Sequence, residues 1–287
     1  MKGLRKYLTP FAPDQSGAVS VLYELGGMLV ICDAGGCTGN VCGFDEPRWF
    51  ETRSAVFSAG LRDMDAILGR DDRLVAKLAD AAEKLDVTFA AVIGTPVPAV
   101  IGTDYRALER MTEKKVDLPI LTVDTDGMEL YDKGEEKAYL ALFEKFSDKN
   151  EESEDMNDKD RPRIGIIGMT PQDVSDLKAA DKIRKVYADQ GMRAICYGMG
   201  DGLALKAAQY LQKKFGTPYE IAYPLASELV PEVNYQGKKI LIVQQQVIAN
   251  AVRKEIEKRT GEKEAITTAT WFMRKEEILT DLNVDAA

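Results

Sequence analysis

Three of the chain's four cysteines, Cys32, Cys37 and Cys42, stand five residues apart in VICDAGGCTGNVCGFDEPRW (30–49), among Gly35, Gly36, Gly39 and Gly43. Thiolates are soft ligands that suit iron–sulfur clusters or zinc. Glycines beside them leave backbone N–H groups free to point at sulfur, which tunes a cluster's potential. The chain has no histidine. That excludes a Ser-His-Asp triad, an imidazole base and histidine-bound zinc within this chain. C-x4-C-x4-C is neither the ferredoxin run nor a paired zinc ribbon. Three thiols also leave a four-coordinate site one ligand short, so either Cys196 joins them or two chains pool theirs. Small buried hydrophobes in a tight turn are the other reading of the same residues, since free cysteine is among the most buried types. Asp33 and Asp45 are the nearest acids by sequence and the candidates for a catalytic proton donor. Gly35 and Gly36 are the candidates for cradling a cofactor.

The elements that deliver this segment follow from hydropathy. Apolar runs at 27–32, 87–94, 118–125, 163–169, 192–198, 219–225 and 238–244 read as strands. Several are continuous rather than alternating, as in parallel strands buried on both faces. Between them, DDRLVAKLADAAEKL (71–85) places Leu74, Leu78, Ala81, Ala82 and Leu85 on one helical face. In 170–191, Thr170, Pro171 and Gly191 mark a helix start and stop. Strand and helix repeated in this way predict stacked βαβ units, an α/β fold of repeated Rossmann-like parallel sheets. The cysteines follow the first strand, and ligands of open parallel sheets sit at carboxyl strand ends. Five-residue steps on an α-helix would splay the thiols apart, so a wrapping loop is expected here.

The chain has 287 residues, 45% hydrophobic and 30% charged, with a net charge of -9. That length holds more than one core. The acidic balance argues against nucleic acid and anionic membranes as partners. No apolar run nears the ~20 residues of a membrane span. MKGLRKYLTPFAPD has no apolar stretch like that of a signal peptide, so a cytoplasmic protein is expected. The segment 147–160 has a heavy acidic excess and almost nothing to bury, and reads as a linker. It separates a cysteine-bearing domain, 1–146, from a second α/β domain, 161–225, and a third, 226–287, which is short or truncated.

Other motifs weigh less. In FAPDQSGA (11–18), Ser16 reads as a helix N-cap, or with Asp14 as part of the cysteine pocket. FDEPRW (44–49) reads either as a solvated turn or as a docking or proton-supplying edge with an exposed Trp49. YGMGDG (197–202) lacks the dinucleotide register and reads as a tight turn. Asp124 and Asp126 suit a divalent cation or a helix cap. The run Gln244–Gln246 ends a strand and carries no assigned chemistry.

The chain resembles the nitrogenase component 1 type oxidoreductases. LVICDAGGCTGN is similar to that family's strand, glycine turn and cluster cysteine, here Cys37. Residues 65–85 are similar to its glycine, acidic pair and helix. FAAVIGTPVPAVIGTDYRALER (89–110) matches its strand and helix start through Ile101, Gly102 and Asp104. KKILIVQQQVIANAVRKEIEKRTG resembles the opening of its third domain. The turn that usually carries a second cluster cysteine is GTPVP (94–98) here, and TPFAPDQSGA has no cysteine either. The resemblance therefore does not extend to a full eight-iron cluster or to nitrogen reduction. It implies an iron–sulfur cluster at Cys37, a [4Fe-4S] centre shared across a homodimer with Cys42 or Cys32 replacing the missing ligands. It also implies a separate ATP-dependent iron-protein-like reductase and a small-molecule substrate reduced in an inter-domain cleft. The alternative is a non-enzymatic scaffold or carrier for a metallocofactor or tetrapyrrole.

Overall fold

The computed structural model describes residues 12–147, 165–168, 194–196, 204–221, 226–243, 246–261 and 266–269. They fall into two compact units, one holding 12–147 and the other holding the rest.

In the first unit, α1 (Asp14–Leu22) leads into β1 (Met28–Ile31). After it come α2 (Gly36–Asn40), a π-helical turn (Val41–Asp45), a 3-10 turn (Pro47–Phe50) and β2 (Ala55–Ser58). Then follow α3 (Asp63–Leu68), α4 (Asp71–Ala82), β3 (Ala90–Ile93), α5 (Pro96–Ile101), α6 (Tyr105–Glu113), β4 (Ile120–Val123) and α7 (Tyr131–Phe146). The four strands form one parallel sheet in the order β2-β1-β3-β4, with Met28 opposite Ala55 on one side and Ala90 on the other. The α/β fold expected from the apolar runs is thus present. All residues of β1 and β3 are buried, as continuous runs demand.

Strand alternation sorts the core into two layers. Leu29 and Ile31 pack with Ala18, Val19, Leu22 and Val41 on one face of the sheet. Met28 and Val30 pack with Leu74, Val75, Leu78 and Leu108 on the other. The predicted helix at 71–85 is α4. Leu74 and Leu78 are fully in its buried face, while Ala81, Ala82 and Leu85 are partly buried against it.

Helix α1 is buried along all nine residues, although five of them are polar or glycine. Two glycines make this possible. A Cβ at Gly17 would fall on the Tyr131 carbonyl, and one at Gly134 on the Asp14 carbonyl. With hydrogen there instead, α1 and α7 cross backbone to backbone.

In the second unit, β5 (Gly165–Ile167), β6 (Ala194–Cys196) and β7 (Glu220–Ile221) make a parallel three-stranded sheet with α8 (Leu205–Phe215). Helix α9 (Ala226–Leu229) precedes β8 (Ile240–Val243), α10 (Gln246–Thr260) and β9 (Ile266–Ala269), and β8 pairs with β9 in parallel. Val230, Ile240, Ile256 and Ile266 form the buried cluster there. The helix expected at 170–191, the turn at 197–202, Gln244, Gln245 and nearly all of 147–160 lie outside the described residues.

Candidate functional site

Chain order and strand order diverge at one place in the first sheet. From β1 the chain moves outward to β2, then returns to the far side of β1 to lay down β3 and β4. The connections leaving β1 and β3 therefore part company at the carboxyl ends of those two strands. In open α/β sheets, ligands bind at such a switch point. Here it is walled by the cysteine segment after β1 and the turn Gly94–Thr95–Pro96 after β3.

The cysteine segment is helical, which corrects the loop expected from its glycines. Gly35 turns the chain with φ 118, a conformation that favours glycine. Asp33 then organises the start of α2. It accepts from the Thr38 N–H at 2.8 Å, from Thr38 Oγ1 at 3.0 Å and from Ser58 Oγ at 2.6 Å. A buried side-chain acceptor for an orphan N–H is what lets so glycine-rich a helix form. This catalytic candidate thus has its oxygens committed to structure.

Asp45 closes the π-turn. It is 6% exposed and accepts from Ser16 Oγ and Asn40 Nδ2, each at 2.8 Å. Burial pushes its carboxyl up, against the pull of those two hydrogen bonds. Ser16 is inside α1 rather than capping it, because Pro13 precedes the first turn and Asp14 opens it. Its hydroxyl instead ties α1 to the cysteine segment. Asp14 is spent elsewhere, accepting from the Asp126 and Gly127 N–H groups at 3.0 and 2.7 Å. Asp126 caps its own turn through the Met128 and Glu129 N–H groups.

Downstream, FDEPRW is neither a solvated turn nor an edge with an exposed tryptophan. Glu46 is 3% exposed and grips Arg48 through both oxygens, at 2.7 and 2.8 Å. The guanidinium also donates to the Ser20 carbonyl at 2.7 Å and lies 4.8 Å from the Tyr23 ring centroid. Trp49 packs against the α1-side core, and the exposed aromatics are its neighbours Phe44 and Phe50.

The thiols divide. Cys32 continues the alternation of Met28 and Val30 into the opposite core layer, is 2% exposed, and has its thiol pushed up to about 12 by burial. Cys37 is half-buried at the edge of the α1-side core, and Cys42 is half-buried in the π-turn. Burial raises both thiols and Asp33 adds to the rise, so in the free chain both carry protons. For Cys37 the nearby Thr95 side chain works the other way, while the Thr95 hydroxyl donates to the Cys32 carbonyl at 2.8 Å. Thr95 was not among the residues singled out from sequence. The signal for it is the place where β3 ends beside β1, which only strand order reveals. The side chain of Cys196, last residue of β6, lies outside the described residues.

Among the described residues, no group of three or more acids or cysteines stands close enough to hold a metal ion. Among the described residues two thiols, Cys37 and Cys42, are half-buried, and Cys32 would have to leave the core to join them. The donor chemistry still fits an iron–sulfur centre completed by a second set of ligands. The backbone there is open: at Gly35, Gly36, Gly39 and Gly43 an added Cβ would meet nothing within 4 Å among the described residues.

These features define a parallel-sheet α/β protein with cysteines presented at a switch point. Nitrogenase Cp1 at pH 5 has the same fold, with a TM-score of 0.62 and 13% identity over 95% of this chain and 66% of that one. Nitrogenase Cp1 at pH 6.5 gives a TM-score of 0.59 and 13% identity, over 91% and 61%. The chain thus spans 61–66% of the length of those chains. No curated protein matches it by sequence. Residues 14–201 match the model of the nitrogenase component 1 type oxidoreductases, and the chain belongs to that family. Among the described residues, no helix is long and apolar enough to cross a membrane.

Proposed function

We propose that this protein is an iron–sulfur-dependent oxidoreductase of the cytoplasm. In this reading two copies share a [4Fe-4S] cluster, and electrons pass from a separate ATP-dependent iron-protein-like reductase to a small molecule. The observation that carries the reading is that half-buried Cys37 and Cys42 follow the β1–β3 switch point in a segment whose glycines have open space beside them. Glycines with no intramolecular neighbour leave room for something from outside the chain to approach the backbone. Two copies of Cys37 and Cys42 complete a four-thiolate set, which no single chain brings together among the described residues.

The cluster would supply one-electron transfer at a potential set by burial and by hydrogen bonds to sulfur. The chain's own residues do the rest. Asp33 fixes the turn that presents Cys37, and the Glu46–Arg48 pair fixes the far end of the segment. Exposed Phe44 and Phe50 flank the thiols with apolar surface that keeps water from them once covered. Asp45 is the better placed of the two acids to hold a proton, since burial favours its neutral form. In the same reading 147–160 is an acidic linker, and 161–225 and 226–287 are a second and a third α/β domain.

Anaerobic purification followed by iron and sulfide analysis tests this. The expected result is about four irons per dimer, lost in Cys37→Ala together with visible absorption. Iron-free protein after reconstitution would remove the proposal. Loaded protein that shows no turnover with a strong reductant and a partner reductase would identify a scaffold or carrier instead.

A further inference from the structure

Resting on the iron–sulfur reading above, we propose that residues 34–44 and Phe50 form a self-complementary docking face for the same face of a second copy, anchored by Phe44 and Phe50. The chain is 30% charged, yet 34–44 holds no charged residue. Burial does not account for this, because Val41 alone among these eleven residues is buried. The next two residues are acids, but Asp45 and Glu46 are turned inward, 6% and 3% exposed. The lack of charge selects the occupant. Around a twofold axis each residue meets its own kind, so a charge there would face its like. Two copies that each carry a net charge of -9 repel one another. They meet at least cost where neither presents charge. A strongly charged partner would gain nothing from a stretch that offers it no ionic group.

The two rings supply the attraction. Phe44 is 84% exposed and Phe50 82%, so neither adds much to the stability of one copy. Both stand on a fixed frame. Phe44 precedes Asp45, which is bound by Ser16 and Asn40, and Phe50 follows Trp49, which packs into the α1-side core. Little backbone order is then lost when the rings are covered. Twofold symmetry uses each ring twice. Gly36, Gly39 and Gly43 put no side chain between the approaching backbones. Cys37 and Cys42 lie within the same stretch, so the contact that buries the rings also joins the two thiol pairs.

The test compares wild type, Phe44→Ala, Phe50→Ala and Leu25→Ala, purified anaerobically. Sedimentation gives the dimer dissociation constant, chemical analysis the iron content, and circular dichroism the fold. Leu25 is a half-exposed apolar residue before β1, at the opposite end of that strand from the cysteines. Wild type and Leu25→Ala are expected to be equally tight dimers. Phe44→Ala is expected to raise the dissociation constant roughly 100-fold or more, since the dimer loses two buried rings, and to keep the wild-type dichroism spectrum. Phe50→Ala shifts it the same way and stands in should the first variant fail to fold. Ring variants that dimerise as tightly as wild type overturn this proposal and leave the cluster reading standing. Equal weakening by Leu25→Ala also overturns it, and so does a wild type that is monomeric at micromolar concentration. An iron-free wild-type dimer that the ring variants dissociate supports the docking face and overturns the cluster reading alone.

Discussion

Where α1 crosses α7, a Cβ at Gly17 or Gly134 would strike the facing backbone; along α2 and the π-turn, a Cβ at Gly36, Gly39 or Gly43 would meet nothing. Both regions belong to the same unit, and both are joined to α1, one by the crossing and the other by the Ser16–Asp45 bond. The first is a closed seam, where absence of a side chain lets two backbones touch. The second is an open face, where the same absence serves no contact within the described residues. Glycine content alone does not distinguish them. What differs is whether the partner surface lies inside the unit.

The sharpest way to break this contrast is Gly134→Ala. The new methyl collides with backbone that has nowhere to move, and a loss upwards of about 3 kcal/mol is expected in urea denaturation. Arg48→Ala acts on the tie between the regions. It strands the buried Glu46 carboxylate without its cation, and a loss of about 3 kcal/mol is expected in the same assay. An Arg48→Ala protein as stable as wild type would mean that the pair does not fasten the segment.

Asp132 tests the seam by titration. It is 4% exposed in the first turn of α7, and burial pushes its carboxyl up to about 6. Its folded form therefore binds the proton more tightly than the unfolded chain does. Its contribution is fully present below the unfolded value near 3.8 and is lost as pH rises through about 6. Two units correspond to about 3 kcal/mol at most. Asp14 and Asp45 shift the same way, so the comparison of wild type with Asp132→Asn isolates this group. The difference between them should narrow by ~2 kcal/mol between pH 7 and pH 4, and a constant difference would contradict the assignment.

The smallest expected effect is the most telling. Gly39→Ala adds a methyl to open space in a helix and should leave stability unchanged or raise it by about 0.5–1 kcal/mol. On the proposed function it nevertheless lowers iron retention or dimer content, measured by iron analysis and light scattering. Wild-type values for both would show that the face meets nothing.

Much of this frame is legible in the sequence. The buried strands β1, β3 and β4 announce themselves as continuous apolar runs, and α4 by its leucine spacing. The edge strand β2 does not, because only Val56 and Phe57 are large and apolar, and half of its residues are exposed. The cysteine segment is misread as a loop because its helix is set by tertiary contacts, Asp33 at one end and Asp45 with Glu46–Arg48 at the other. Local propensity points the opposite way, since glycine disfavours helix. Cys32 could have been separated from its neighbours by strand parity, following Met28 and Val30. Thr95 could not, because its importance depends on β3 lying next to β1.

The cysteine segment is anchored at both ends by buried carboxylates, and this bears on how anything could associate with it. A surface already fixed in shape has little disorder left to surrender when it is covered, so less of the interaction free energy goes into arranging it. Chelation should then strip a bound metal and leave the first sheet folded, unlike a small zinc domain, whose architecture collapses with its ion.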